Sequence, residues 1–469
     1  MSFASHTFLY GFLPVTLALW ALAGKKHPKA RKTVLLLCSV GFCAFAGLAA
    51  LLAMLLLALA IWLSGRFLEK AESEKAKKRR LVLPVCLLLA VLGVFKYTGF
   101  VLENVNALLG LSLRALTLYA PLGLSFLTFL GISYLADVYR GSCPAEKSFW
   151  ELLLYLTFFP KAAQGPLMRY ADFRVQAASP QASAENAAEG AERFVIGLGK
   201  KLLLGDVMAG AAAEIFNLSA AALTPAKMWA GAFLFAWQIY FDFSGYTDMA
   251  VGLGRMLGYR LPENFNHPYM AVSVTDFWRR WHMTLSGWFR DYVYIPLGGN
   301  RRGQGRQILN LAAVWVLTGL WHGASWPFVL WGAWFAVLLI LEKTALRRAL
   351  ERLPTLVKRI YALFCVLIGW VIFNSFSLTM LAKNLSAMFG FGHGGGNDAA
   401  YFALLFRQYW PELIAAVLLS TSAGQKLFEA LEKTRGGRLV RLTLLLAILA
   451  LSVLALTGAG MRAFVYAQF

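Results

Sequence analysis

The chain has few charged residues for its length, and its cysteines form no paired motif. Only 15% of its 469 residues are charged, and none of its five cysteines has CxxC spacing. A disulfide framework and a zinc site are therefore not indicated. The sequence also lacks a GxxxxGK[ST] loop, an HExxH helix and a GxSxG elbow. ATP hydrolysis, zinc proteolysis and serine hydrolysis consequently have no sequence support.

Acidic residues are also scarce, since 24 Asp and Glu accompany 45 Lys and Arg and give a net charge of +21. The basic residues cluster beside apolar segments, and no loop resembles a nucleic-acid recognition module, so we expect no nucleic-acid partner. Basic loops beside apolar segments are typical of the cytoplasmic side of membrane proteins. We therefore expect the N-terminus, residues 377–400 and the C-terminus to face outward. The basic clusters are Lys25 to Lys32, Lys75 to Arg80, Arg347 to Arg359 and Lys426 to Arg441.

Apolar residues make up 59% of the chain, which indicates an integral membrane protein. A helix needs about 20 mainly apolar residues to cross the hydrocarbon core of the lipid bilayer. We predict an all-α polytopic fold, a single membrane domain over residues 1–469, with roughly 11 to 13 membrane helices. The first segment lacks a charged n-region and a cleavage pattern, so we expect it to remain as a helix. The predicted segments are 8–23, 34–68, 81–100, 115–137, 149–165, 194–217, 227–254, 308–341, 357–376, 401–420 and 440–460, and 34–68 and 308–341 are each long enough for two spans or for one span and a half-helix.

A polar block interrupts this pattern from Asp276 to Gly303, DFWRRWHMTLSGWFRDYVYIPLGGNRRG. Ionisable side chains at membrane depth are costly and normally face a protein-lined cavity or take part in chemistry. From residue 276 to residue 291, aromatics alternate with Arg, His and Ser. This pattern predicts an amphipathic helix that lies at the membrane interface or dips into the bundle. Pro296 and the following glycines should end that helix, and the chain should cross again from about Ile308.

Two histidines, one inside this block and one downstream of it, are the candidate catalytic residues. His322 lies in the next apolar segment, where loss of solvation favours the neutral imidazole that a general base requires. A core histidine bonded to a helix backbone is the alternative. His282 has arginine neighbours, which suggests side chains that reach toward lipid headgroups. No carboxylate has a spacing that favours a two-histidine metal site, so we expect no metal.

Asp242 and Asp248, with Tyr246 between them, end another apolar segment. The two carboxylates are six positions apart, so a regular helix would not place them on one face. Polar groups that line an aqueous pocket and a solvated, capped helix end both fit this pattern. His267 precedes a proline and is predicted to be a turn residue, while His393 in GFGHGGGND is predicted to lie in a loop.

The stretch from Phe241 to Gly303, FDFSGYTDMAVGLGRMLGYRLPENFNHPYMAVSVTDFWRRWHMTLSGWFRDYVYIPLGGNRRG, is followed downstream by LTGLWHGASWPFVLWG. Together these segments resemble the membrane-bound O-acyltransferase (MBOAT) family. SYLADVYRG at Ser133 to Gly141 and FFPKAAQGPLMRYADF at Phe158 to Phe173 are similar to motifs of its bacterial branch, whose members acetylate alginate, peptidoglycan or cellulose. The detailed resemblance covers residues 120 to 340 approximately, and the C-terminal helices follow at about 357 to 460.

By this resemblance, His322 matches the family's active-site histidine and His282 matches the second histidine of its WHMTLS element. The implied fold is a ring of tilted helices around a thin centre, which one funnel reaches from the cytoplasm and another from the outer face. His322 would act as general base on an acceptor hydroxyl that attacks an acetyl thioester. An acyl-histidine intermediate is the other route.

The resemblance also implies the substrates and the surroundings of the site. The donor would be acetyl-CoA, a substrate and not a bound cofactor, or another cytoplasmic thioester. The acceptor would be a periplasmic partner of the SGNH hydrolase-like type that modifies a polysaccharide, at the bacterial inner membrane. The residues expected to line the tunnel, orient the donor or stabilise developing charge are Trp278, Arg279, Trp281, Ser286, Arg290, Asp291, Tyr292, Asp242, Tyr246, Trp321 and Trp326.

Three other functions remain open from the sequence. Within the family, D-alanyl transfer to teichoic acid would take its donor from a carrier protein. A lipid acyltransferase would need a lateral opening for long acyl chains. Outside the family, a polysaccharide transporter or channel would use the polar block to line a conduction path.

Overall fold

A computed structural model of the protein describes residues 1–24, 27–114, 123–391, 397–458 and 462–464. These residues form helices and turns and no strand. His393 lies outside the described residues. The chain is a multi-pass membrane protein, as the sequence predicts, although the count of roughly 11 to 13 membrane helices is not confirmed. Within the described residues, the six helices long and apolar enough to cross a membrane are Leu48–Glu69, Glu74–Leu109, Trp326–Lys343, Thr355–Phe373, Asp398–Leu419 and Arg435–Gly458.

The helices group into two compact units, of which the first consists of residues 1–194 and 247–262. A π-helical segment, Thr7–Phe12, precedes its first α-helix. The α-helices of this part of the chain are α1 Leu13–Leu22, α2 Pro28–Ala44, α3 Leu48–Glu69, α4 Glu74–Leu109, α5 Leu124–Arg140, α6 Phe149–Thr157, α7 Tyr170–Ala178 and the start of α8, Ala184–Gly199.

The predicted segment 34–68 consists of two helices, α2 and α3. They are separated at Gly47, whose φ of +103° favours glycine. The prediction of a span over 149–165 is wrong, because α6 ends at Thr157 and its nine residues extend only about 13 Å. Phe158 and Phe159 are fully buried within the protein. The apolar run in this segment therefore reflects a protein interior and not a lipid-facing helix.

The second unit consists of residues 195–246 and 263–469. Two π-helical segments, Lys200–Gly205 and Arg290–Tyr294, interrupt its α-helices. Those α-helices are α9 Asp206–Phe216, α10 Pro225–Met256 up to residue 246, α11 Val274–Arg280, α12 Met283–Phe289, α13 Gln304–His322, α14 Trp326–Lys343, α15 Arg347–Arg352, α16 Thr355–Phe373, α17 Leu378–Met388, α18 Asp398–Leu419, α19 Ser422–Glu432 and α20 Arg435–Gly458.

The predicted segment 308–341 also consists of two helices, α13 and α14, and these pack at glycines. A Cβ atom at Gly319 would lie 2.4 Å from the Phe328 carbonyl oxygen, and one at Gly332 would lie 2.4 Å from the Trp315 carbonyl oxygen. Small residues allow helix backbones to approach this closely. The contact fixes the C-terminal end of α13, where His322 lies.

The polar block does not form the one helix predicted over 276–291. It divides into α11 and α12, and the two residues between them, Trp281 and His282, are 1% and 2% exposed. The predicted helix end at the glycines is confirmed, because Gly298, Gly299 and Gly303 all have positive φ. The following helix begins at Gln304, a few residues before the predicted start.

Candidate active site

His282 has a left-handed backbone conformation that brings its side chain into the core between α11 and α12. Its φ is +43° and its ψ is +52°, a conformation that costs a non-glycine residue on the order of 1–3 kcal/mol. The surrounding hydrogen bonds compensate for that cost. The Met283 N–H donates to the Asn264 carbonyl at 3.0 Å, and the Asn264 Oδ1 atom accepts from the Thr284 N–H at 3.1 Å and the Thr284 hydroxyl at 2.7 Å.

The His282 imidazole is buried among aromatic rings. Its ring centre lies 4.7 Å from that of Phe243 and 6.3 Å from that of Trp321. Burial lowers the pKa of His282 to about 3, because an apolar environment disfavours the imidazolium ion. The ring is therefore neutral at physiological pH.

His322 is the last residue of α13 and is 3% exposed. Its ring centre lies 4.8 Å from that of Trp331 and 5.4 Å from that of Phe373. The next residue, Gly323, leaves no space for a larger residue, since a Cβ atom there would lie 2.1 Å from the Phe328 ring. The position of the imidazole is thus set by packing from α14 and α16.

Both histidines line one cavity of about 570 Å³, which we call the histidine cavity. The Trp321 ring contacts both, since its centre lies 6.3 Å from that of His282 and 4.7 Å from that of His322. Aromatic and aliphatic side chains form most of the wall, as is typical of small-molecule sites. The lining residues are Thr275, Trp278, Arg279, Trp281, His282, Met283, Leu285, Ser286, Gly287, Phe289, Arg290, Tyr294, Leu311, Val314, Trp315, Thr318, His322, Leu339 and Lys343.

Three cations lie on the wall of the histidine cavity: Arg279, Arg290 and Lys343. Arg290 forms an ion pair with Asp291 at 2.8 Å. Within the part of the chain that the structure describes, neither Arg279 nor Lys343 has a hydrogen bond or an ion pair. Lys343 is repelled by Arg279 and attracted by the carboxylate of its neighbour Glu342. A ligand with negative charge would relieve that repulsion.

A second cavity of about 210 Å³, which we call the lysine cavity, contains a buried ion cluster. Lys201 is 1% exposed and donates to Asp206 at 2.7 Å and to Asp242. The Phe464 ring centre lies 4.4 Å from the Lys201 ammonium nitrogen. The lining residues are Lys201, Asp206, Ala209, Ala212, Ala213, Gln238, Asp242, Asn374, Phe376, Arg462 and Ala463.

The two cavities lie toward opposite ends of α14 and α16, which run antiparallel. Phe328 near the start of α14 contacts Phe373 at the end of α16, with ring centres 5.1 Å apart. From the level of Trp331, which contacts His322, α14 rises about 18 Å to Lys343. The histidine cavity extends toward Lys343, at the end of α14. The lysine cavity lies at the other end, because it includes Asn374, the residue that follows α16.

The structure places seven of the residues predicted from sequence on the wall of the histidine cavity: His282, His322, Trp278, Arg279, Trp281, Ser286 and Arg290. The remaining six lie elsewhere. Asp291 pairs with Arg290, Tyr292 packs on Trp288, and Trp326 is 48% exposed. Trp321 contacts the rings of both histidines, Asp242 lines the lysine cavity, and Tyr246 packs against Phe464.

Sequence reasoning missed several residues of both cavities. Trp315, Thr318 and Lys343 line the histidine cavity from α13 and α14. Helical spacing gives a signal for the first two, because Trp315 and Thr318 precede His322 by seven and four residues and share its face. Lys201 was also missed, although an ionisable residue inside the predicted segment 194–217 is itself an indication of a buried polar site.

Known proteins are similar to this chain over most of its length. The family model described as MBOAT, membrane-bound O-acyltransferase family, matches residues 144–382. A probable alginate O-acetylase AlgI of Pseudomonas aeruginosa is 39% identical over 397 residues, which are 84% of this chain and 75% of that protein. A peptidoglycan O-acetyltransferase of Helicobacter pylori is 31% identical over 420 residues, 83% of this chain and 80% of that protein.

A third relative, a teichoic acid D-alanyltransferase of Bacillus subtilis, is 32% identical over 232 residues, which are 46% of this chain and 58% of that protein. Two of the three relatives are named for O-acetylation and the third for D-alanyl transfer, so all three are named for transfer of an acyl group. The family model covers both candidate histidines. This chain is an acyltransferase and belongs to the membrane-bound O-acyltransferase family.

Proposed function

We propose that the chain transfers an acetyl group from acetyl-CoA, on the cytoplasmic side of the bacterial inner membrane, to a hydroxyl acceptor on the periplasmic side. The observation that carries the proposal is the histidine cavity, in which two buried histidines share a wall with two cations that have no partner among the described residues. Relatives named for O-acetylation of alginate and of peptidoglycan support acetyl as the transferred group.

The cations of the histidine cavity support a phosphorylated donor on the cytoplasmic side. Arg279 and Lys343 lie near the end of α14 that leads into the basic α15. Basic loops of membrane proteins face the cytoplasm, where acetyl-CoA is made available. Guanidinium and ammonium groups bind phosphate oxygens by charge-assisted hydrogen bonds. The donor's phosphates would thus bind to Arg279 and Lys343, while its thioester extends into the histidine cavity toward the histidines.

In the proposed reaction, neutral His322 is the general base. Its imidazole takes the proton of the acceptor hydroxyl as the hydroxyl oxygen attacks the thioester carbonyl carbon. The carbon–sulfur bond then breaks, and the departing thiolate takes the proton from the imidazolium. The proton thus passes from the acceptor hydroxyl through His322 to the thiolate, so no other proton donor or acceptor is required.

His282 lies on the same wall and has a neutral ring. A neutral imidazole can donate one hydrogen bond and accept one. We assign it to orientation of the thioester and to stabilisation of the negative charge that develops on the carbonyl oxygen. Trp278 and Trp281 supply an apolar wall that excludes water, which would otherwise compete as the acceptor.

The acceptor would reach His322 from the lysine cavity, beyond Phe373. Gln238 and Asn374 line that cavity and offer amide groups for hydrogen bonds to hydroxyls. The neighbouring part of the chain that contains α17, Leu378–Met388, is expected to face outward by the distribution of basic residues. We infer that the acceptor is a periplasmic SGNH hydrolase-like protein, which passes the acetyl group to a cell-surface polysaccharide.

Transfer of radiolabelled acetyl in membrane vesicles tests this function. Wild type and His322→Ala are compared at matched protein levels with labelled acetyl-CoA on the cytoplasmic side. We expect label on a periplasmic protein or polysaccharide with the wild type and a loss of roughly 10²-fold or more in the variant. Full activity of His322→Ala at normal abundance would contradict the role of His322.

D-alanyl transfer is the second candidate, because one relative is named for it. That reaction would use an aminoacyl thioester on a carrier protein. Vesicles that transfer no label from acetyl-CoA, but do so from an aminoacylated carrier protein, would favour this candidate. Vesicles inactive with both donors would contradict both candidates and would point to a different acyl donor.

A further inference from the structure

Glu342 is a buried acidic residue near the end of α14, and it binds the start of another helix. Its side chain is 8% exposed. One carboxylate oxygen accepts from the Val274 N–H at 2.6 Å. The other accepts from the Thr275 N–H at 2.8 Å and from the Thr275 hydroxyl at 2.5 Å. The carboxylate therefore satisfies backbone groups of α11 that no residue of α11 can satisfy.

The cap at the start of α11 is complete only with Glu342. The Ser273 hydroxyl accepts from the Asp276 N–H at 2.9 Å, and the Ser273 carbonyl accepts from the Phe277 N–H. The first two N–H groups of the helix, by contrast, bond to α14. A negative charge at this end also opposes the positive end of the helix dipole. Glu342 thus links the orientation of α11 to that of α14.

Helix α11 carries part of the histidine cavity but has little means of fixing its own orientation. It has only seven residues, fewer than two turns. Trp278 and Arg279 line the cavity from this helix, and Lys343, the residue after Glu342, lines it from α14. The carboxylate of Glu342 therefore lies at the junction that sets how Arg279 is placed relative to Lys343.

We propose that Glu342 is a positioning residue for the acyl donor: it fixes α11 so that Arg279 and Lys343 together bind the donor's phosphates. This inference rests on the proposed function, because it requires a phosphorylated thioester donor. Glu342 does not touch the reacting atoms in this scheme. Its effect is exerted through Arg279 and appears in donor affinity and not in the chemical step.

Glu342→Gln tests this assignment, because it keeps the side-chain shape and removes the charge and one of the acceptor oxygens. In purified full-length protein, we expect KM for acetyl-CoA to rise roughly tenfold, the order expected for one charge-assisted contact. We expect kcat to stay within about twofold of the wild type, because His322 is not displaced. Glu351→Gln is the matched control, since Glu351 on α15 is 63% exposed and bonds to Arg347.

A donor without phosphates separates positioning from a general structural effect. With S-acetyl-pantetheine, which lacks the nucleotide and its phosphates, Glu342→Gln and wild type should have the same KM. A variant that is impaired equally with both donors has lost cavity structure, and the positioning role is then wrong. An unchanged KM for acetyl-CoA in Glu342→Gln also overturns it.

A double-mutant cycle with Arg279→Gln identifies the route of the effect. If Glu342 acts through Arg279, the double variant should have the KM of Arg279→Gln alone. If the fold-increases in KM of the two single variants multiply in the double variant, the two residues contribute independently and the inference is overturned. Thr275→Val provides a milder change, because it removes the hydroxyl donor and keeps both backbone bonds.

Thr275→Val also covers the case in which Glu342→Gln does not accumulate in the membrane. We expect its KM for acetyl-CoA to rise about two- to threefold, as for one weakened hydrogen bond. Because Thr275 itself lines the cavity, the deciding result is that this rise exceeds any rise in KM for S-acetyl-pantetheine. An unchanged KM for acetyl-CoA would overturn the inference. A wild type that does not use acetyl-CoA overturns the proposed donor itself, whereas an active wild type with unchanged variants overturns only the role of Glu342.

Discussion

The histidine cavity and the lysine cavity differ in how their cations are balanced. In the lysine cavity, Lys201 is fully buried and bonds to two carboxylates of the protein, Asp206 and Asp242. In the histidine cavity, Arg279 and Lys343 have no such partner among the described residues. A charge that the protein neutralises contributes to the fold, whereas a charge left for a ligand contributes to binding.

The largest effect should follow from removal of the buried cation. Lys201→Met leaves two carboxylates in the interior without their cation, and loss of one partner of a buried pair costs about 3 to 5 kcal/mol. We expect a large fall in thermal stability of the detergent-solubilised protein, whereas Arg279→Gln should unfold like the wild type. Equal stabilities for Lys201→Met and Arg279→Gln would remove the distinction between the two cavities.

A second prediction concerns the acid stability of the histidine cavity. The pKa of His282 is about 3 in the folded protein, against an ordinary value of 6.5. The unfolded chain therefore takes up a proton first as the pH falls below 6.5, and the folded state loses stability. Relative to pH 7.5, the loss at pH 5 from this group is about 2 kcal/mol.

His282→Asn removes that titration and keeps a residue type that tolerates positive φ. Its unfolding temperature should therefore fall less between pH 7.5 and pH 5 than that of the wild type. The same acid sensitivity in both proteins would show that groups other than His282 cause it. Activity is not the readout, because His282 lines the reaction cavity.

A third, smaller effect concerns the cations that have no protein partner. Lys343→Gln should raise KM for acetyl-CoA roughly fivefold at low salt, as for one exposed charge interaction. Added salt should raise the wild-type KM and narrow the difference, because it screens exposed charges. A difference that is independent of salt would show that Lys343 contributes by packing and not by charge.

The smallest effect should come from Asp291, the carboxylate that pairs with Arg290 at 2.8 Å. Asp291→Asn would release a third cation to the donor, and exposed ion pairs contribute only about 0.2 to 1 kcal/mol. We expect KM for acetyl-CoA to fall about twofold. A rise in KM would instead show that Asp291 orients Arg290 for the donor.

Hydropathy predicted the long apolar helices well. It was wrong for a segment whose apolar residues pack inside the protein. Helices long enough to span cover most of the predicted segments 81–100, 357–376 and 401–420 and the described part of 440–460. The segment 149–165 does not form such a helix, because α6 ends at Thr157 and the following Phe158 and Phe159 are buried within the protein. A window average cannot distinguish a lipid-facing run from one that faces other helices.

The sequence predicted which residues line the site better than it predicted how they are arranged. His282 and His322 line one cavity, although nothing in the local pattern indicates that His282 has a positive φ and divides the polar block. The bonds from Lys201 to Asp242 and from the Val274 N–H to Glu342 join residues 41 and 68 positions apart. Such pairs depend on tertiary packing, which one sequence does not specify.

The glycine contact between α13 and α14 has a consequence for redesign of the enzyme. Gly319 and Gly332 leave less than a methyl group of clearance beside the neighbouring backbone, so substitutions in this contact would displace His322 before they enlarged the cavity. Trp278 and Leu285, on α11 and α12, line the same cavity without that constraint. A variant that accepts a bulkier acyl group should therefore be sought by trimming side chains on α11 and α12.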